Sequence, residues 1–213
     1  TLSNYTVYCM IPVIQAQGWG WNELVSFLNQ TISESTLKAV SYLLGHSLNS
    51  SEDISQEIYE FCLSVIEQSM NVDDIQVIIC SSRVFALLCS FPQQDYSESL
   101  FNFLNAYVTI FSGNPDVELA KSISNSFNIE NQFFNTEQLL MQLLEISTQS
   151  DPKICYIIIR KLISKFGNNL REQFPFLLQT TIEIITSLFS DDCYNPSDDS
   201  NYIAGIADKC SKR

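Results

Sequence analysis

"VDDIQVIICSSRVFALL", residues 72–88, opens on a pair of aspartates and then runs almost wholly apolar. Its length and its apolar spacing at three and four residues predict a buried helix rather than a strand. The aspartates explain where that helix starts, because a side-chain oxygen can accept hydrogen bonds from the free N–H groups of a first turn. Three further stretches have the same plan: "SESTLKAVSYLLG" (33–45), "GNPDVELAKSIS" (113–124) and "SDPKICYIIIRKLI" (150–163). Their first apolar residues are Leu37, Ile75, Val117 and Ile154, spaced 38, 42 and 37 apart. Pro115 and Pro152 fall where a first-turn proline costs nothing, since its missing N–H would have no intrahelical partner.

A second set of helices is interleaved with the first. Apolar residues recur there at i, i+3 and i+4: Leu24/Phe27/Leu28, Ile58/Phe61/Cys62, Leu100/Phe103/Leu104, Leu140/Leu143/Leu144 and Leu178/Thr181/Ile182, with Thr181 the one polar intruder. Two helices per ~40 residues, repeated, is the pattern of a HEAT-type solenoid. One such hairpin cannot bury its apolar face alone, so stacking neighbours supply the core. The expected fold is therefore all-α, an α-solenoid of about five antiparallel hairpins forming a single domain over 1–213. Helices are predicted at 5–17, 20–32, 34–48, 53–70, 73–90, 95–112, 115–128, 136–149, 151–166, 172–189 and 202–212. The apolar "YTVYCMIPVIQA" (5–16) does not read as a polar end cap, and no start methionine is present, so the expectation is a piece of a longer superhelix.

Composition narrows the function. The 213 residues are 46% hydrophobic and carry 24 Asp and Glu against 11 Lys and Arg, a formal charge of −13. That field repels phosphate backbones, which argues against direct nucleic-acid binding, and it favours basic partners. No apolar run reaches the ~18 residues that crossing a bilayer requires, so membrane insertion is not expected. The seven cysteines form no C-x-x-C pair, and most lie in apolar runs, which predicts reduced core thiols of a cytoplasmic or nuclear protein and no metal site. The single histidine, His46, sits late in a helix, where it is expected to interact with the final carbonyls. No nucleophile–base set, phosphate loop or cation-binding loop is present as a motif, so neither an enzyme nor a cofactor is expected.

Acidic turns are the candidate partner sites. Asp73, Asp74 and Asp151 can simply cap helices; alternatively, the leading carboxylates of the 33–45-type helices form an electronegative ladder for a basic partner. A longer insertion, 190–201, carries Asp191, Asp192, Asp198 and Asp199, and reads either as a solvated linker or as a loop attracting basic surfaces.

Taken in order, these features resemble a known family. "GWGWNELVSFLNQTIS" (18–33), preceded by "YTVYCMIPVIQA", is similar to the early HEAT repeats of the karyopherin-β (importin-β superfamily) nuclear transport receptors. There a Trp-Pro-Glu-Leu motif opens a repeat; here Trp21, Asn22, Glu23 and Leu24 stand in those places, with Asn22 for proline. Residues 131–189 resemble a later repeat pair of the importin-5-like branch, and 191–213 its acidic loop and following helix. The resemblance implies a non-enzymatic receptor, shuttling between cytoplasm and nucleus, that binds basic cargo proteins, the GTPase Ran in its GTP form and Phe-Gly nucleoporins. It makes the helices starting near Glu34 and Asp73 candidates for GTPase contact, and the 191–199 loop for cargo or GTPase. The other readings are a different HEAT scaffold (a coat, chromosome or kinase-associated platform) or an enzyme domain carried on a helical solenoid.

Overall fold

A computed structural model of the chain describes residues 26, 32–49, 54–91, 96–127, 136–166 and 175–190. The expected helices at 5–17 and 202–212, all but two residues of that at 20–32, the tryptophans Trp19 and Trp21, and the loop aspartates Asp191, Asp192, Asp198 and Asp199 lie outside these residues. Within them are eight helices and no strand: α1 Glu34–Asn49, α2 Gln56–Met70, α3 Ile75–Leu88, α4 Ser97–Gly113, α5 Val117–Ser126, α6 Thr136–Thr148, α7 Pro152–Phe166 and α8 Pro175–Ser190.

Their starts are chemically defined. Asp74 Oδ1 accepts from the Gln76 N–H at 2.9 Å, and Asp116 Oδ1 from Glu118 and Leu119 at 2.8 and 3.0 Å. Asp151 Oδ1 accepts from Lys153 at 2.8 Å. Ser33 and Ser55 act in the same way on Thr36 and Ile58, at 3.3 and 3.4 Å. Each satisfies one or two of the N–H groups that a first turn leaves without partners. Pro152 is the first residue of α7, as a first-turn proline should be, whereas Pro115 lies one residue before the cap Asp116. Pro175 likewise opens α8.

Packing alternates along the chain. The helices pair as α2 with α3, α4 with α5 and α6 with α7. Odd-numbered helices also pack on one another in sequence, α1 on α3, α3 on α5 and α5 on α7, while α4 packs on α6 and α6 on α8. Two layers result, one of α1, α3, α5 and α7 and the other built from the even-numbered helices, an arrangement compatible with an α-solenoid. Counted from the caps Ser33, Asp74, Asp116 and Asp151, the same positions turn inward in every odd helix. The fourth gives Leu37, Ile78, Ala120 and Cys155; the seventh gives Val40, Ser81, Ile123 and Ile158; the eleventh gives Leu44, Phe85, Phe127 and Leu162. All are buried except Ile78, which packs partly buried against the core.

Aromatic contacts join neighbouring pairs. Phe85 of α3 meets Phe103 and Tyr107 of α4 with ring centroids 6.5 and 5.3 Å apart, and Tyr59 of α2 stacks on Tyr96 at 4.9 Å. Burying side chains of this size contributes about 1.5–3 kcal/mol each. Cys62, Cys80, Cys89 and Cys155 are buried cysteines outside any disulfide. No helix among the described residues is long and apolar enough to cross a membrane.

Candidate functional site

The acidic candidates separate once their surroundings are visible. Asp74 is a helix cap, and Asp116 and Asp151 act in the same way on α5 and α7. Asp73, its neighbour, is exposed. Glu34 sits in the first turn of α1 and is ion-paired with Lys38 one turn on. Asp74, Asp116 and Asp151 therefore bind their own helices' N–H groups, and Glu34 a cation of its own helix. His46 lies in the last turn of α1, where its Nδ1 is buried with no hydrogen-bond partner among the described residues.

Charge on the helices themselves follows the layers. The even-numbered helices hold Glu57, Glu60 and Glu67 on α2, Glu98 on α4, Glu137 and Glu145 on α6 and Glu183 on α8, and contain no Lys or Arg. Glu57, Glu60, Glu67, Glu98, Glu145 and Glu183 are all exposed. The odd-numbered helices reverse this, with Lys38, Arg83 and Lys121 on α1, α3 and α5 and four cations, Lys153, Arg160, Lys161 and Lys165, on α7. Only Glu34 and Glu118 oppose them. Within the helix bodies the even layer is thus anionic and the odd layer carries the cations, with Asp73, Asp74, Asp116 and Asp151 at the odd helices' starts, in a chain whose formal charge is −13. Negative charge at the starts of these helices therefore adjoins the cations along their bodies.

The cationic layer has a definable centre. A groove of about 270 Å³ lies between α1 and α3, lined by Lys38, Ser41, Tyr42, Cys80 and Arg83. Tyr42 is 55% exposed, one of three large apolar side chains left so open among the described residues. Arg83 Nη2 donates to Glu118 Oε2 at 2.8 Å, and Lys121 Nζ donates to Glu118 Oε1 at 2.6 Å, so one carboxylate serves two cations. Those bonds, Lys121's first, hold the Glu118 carboxyl below the usual range. Lys38 is shifted up, chiefly by its bond to Glu34, while the nearby Arg83 charge works the other way. The Cys80 thiol is buried and pushed up by that burial, which makes it a wall of the groove and not a nucleophile. Among the described residues, no three His, Cys, Asp or Glu side chains gather as a metal site would need.

Reading the sequence by its first apolar residues missed this groove. Counting from the caps would have found it. The ninth position is Tyr42, Arg83, Asn125 and Arg160, and the fifth is Lys38, Ile79, Lys121 and Tyr156. Fifth and ninth positions lie one turn apart on a single helix stripe. Comparison with protein families, with curated proteins and with solved structures finds no match to this chain.

Proposed function

We propose that the chain is a run of HEAT-type helical pairs that binds other proteins through its charged faces, and that it serves as part of a karyopherin-β-like nuclear transport receptor. The solenoid reading is supported by the same three core positions recurring behind four successive caps. Protein binding is supported above all by the even-numbered helices, whose six exposed glutamates and lack of any Lys or Arg suit a basic partner. Basic cargo would then lie on the even helices, not along the capped ends of the odd ones. The transport reading, with its Ran and Phe-Gly partners, rests on the sequence resemblance of residues 18–33 and 131–213.

Capture of GTP-loaded, but not GDP-loaded, Ran by the immobilised full-length parent of this chain is the expected result. Nucleotide-independent capture, or none, refutes the transport receptor and leaves the scaffold reading standing. A second reading, a HEAT scaffold that assembles proteins elsewhere in the cell, is favoured by the presence of two faces of opposite charge. A carrier of basic cargo needs only one.

A further inference from the structure

We propose that the groove between α1 and α3 docks an extended acidic peptide of a partner protein, its carboxylates meeting Lys38 and Arg83 across Tyr42. This goes beyond the function proposed above, since it concerns the opposite layer and a partner of opposite charge. It rests on the packing of α1, α3 and α5 alone.

Charge complementarity selects the occupant. Lys38 and Arg83 line the groove and no carboxylate does, while Glu34 pairs with Lys38 and Glu118 is divided between Arg83 and Lys121. The two cations of the lining come from different helices, so a carboxylate entering between them meets positive charge from α1 and from α3. The existing pairs do not block entry. Their side chains are 41–50% exposed, and exposed pairs exchange partners at little cost. Asp74, at the N-terminal end of α3, is bonded to its own helix. Tyr42 adds an aromatic anchor of the kind that concentrates binding energy in interfaces. A nucleic acid would meet the same cations, but its continuous charge would also face the chain's net negative field.

Spacing refines the peptide. Packed helices lie about 8–10 Å apart, and an extended chain advances about 3.3 Å per residue, so an acidic residue at roughly every third position keeps step with α1, α3 and α5. The probe is a fluorescein-labelled peptide repeating Glu-Gly-Gly, read by fluorescence anisotropy against the 213-residue chain at low and at physiological ionic strength. Binding that weakens with salt is expected, with affinity reduced about tenfold in a Lys38→Gln/Arg83→Gln variant whose circular dichroism matches the parent. Tyr42→Ser, a change at an exposed side chain, should reduce affinity without touching either ion pair, and it decides the matter if the double variant unfolds. Asp73→Asn should change nothing. Equal affinity in the parent and Tyr42→Ser overturns the proposal, as does tighter binding of a single-stranded oligonucleotide of matched charge, which would make the groove a nucleic-acid site.

Discussion

Tyr59 and Tyr107 are both wholly enclosed, yet their hydroxyls stand in opposite situations. Tyr107 lies 2.6 Å from Ser81 Oγ, and Ser81 directs its own proton to the Ile78 carbonyl at 3.1 Å, so Tyr107 is the donor between the two. The Tyr59 hydroxyl is buried with no partner among the described residues. A buried group without a partner costs about 1–3 kcal/mol, whereas a satisfied pair contributes about 1 kcal/mol net. Ser81→Ala strips Tyr107 of its acceptor and should cost about 1–3 kcal/mol by urea unfolding. Tyr59→Phe should be neutral or raise stability by up to about 1 kcal/mol; a loss of that size would mean that the hydroxyl has a partner after all. The same burial fixes the alkaline response. It pushes both phenols up and the Cys62 thiol up to about 12. In the unfolded chain these groups lose their protons at ordinary values while the folded chain keeps them. Their contribution is complete below the unfolded pKa, near 8.5 for a thiol, and is lost as pH climbs through the folded one. Unfolding free energy should therefore fall steadily above about pH 9, and Cys62→Ala, though less stable at neutral pH, should show the shallower slope.

At the scale of single helices, the caps carry the clearest consequence. α5 has ten residues, too few to persist in water on propensity, so its two-bond cap and its packing hold it. Asp116→Ala should cost about 0.5–2 kcal/mol, Asp74→Ala about the same, and Asp73→Ala should stay within about 0.5 kcal/mol of the parent. Thermal melts of the three variants test this; a loss at Asp73 equal to that at Asp74 would contradict the capping geometry. Helix boundaries were readable to within about three residues because both determinants, a capping oxygen and the 3.6-residue apolar rhythm, are local. Facing is less local. In α8 the apolar Ile182 is 51% exposed while Thr181 and Ile184 are buried, because contact with α6 decides which stripe turns inward. Hydropathy alone assigned Ile182 to the core.

Over the whole molecule, a single net charge conceals a dipolar arrangement. Counting 24 acidic against 11 basic residues gives an acidic protein; within the eight described helices, the even ones hold seven glutamates and no cation, and the odd ones seven cations and two glutamates. The alternation of helices was legible in the sequence, but which helices share a face is a property of packing, where non-adjacent α1, α3, α5 and α7 come together. The consequence can be measured. A peptide repeating Lys-Gly-Gly should bind the even-numbered layer with an affinity that falls as salt rises, because exposed charges are screened over about 8–10 Å at ordinary ionic strength. Glu57→Gln, Glu67→Gln and Glu98→Gln together replace three exposed carboxylates on α2 and α4 with isosteric amides. Fold and core should be untouched, affinity for the basic peptide should fall about tenfold at low salt, and the salt dependence should flatten. Lys38→Gln/Arg83→Gln should leave that peptide's affinity unchanged or slightly raised, since it removes distant like charge. If the triple variant binds the basic peptide as the parent does at low salt, the even layer is only a solvated surface. A drop of equal size in both variants would mean that the faces do not act separately, and that net charge alone governs what this chain attracts.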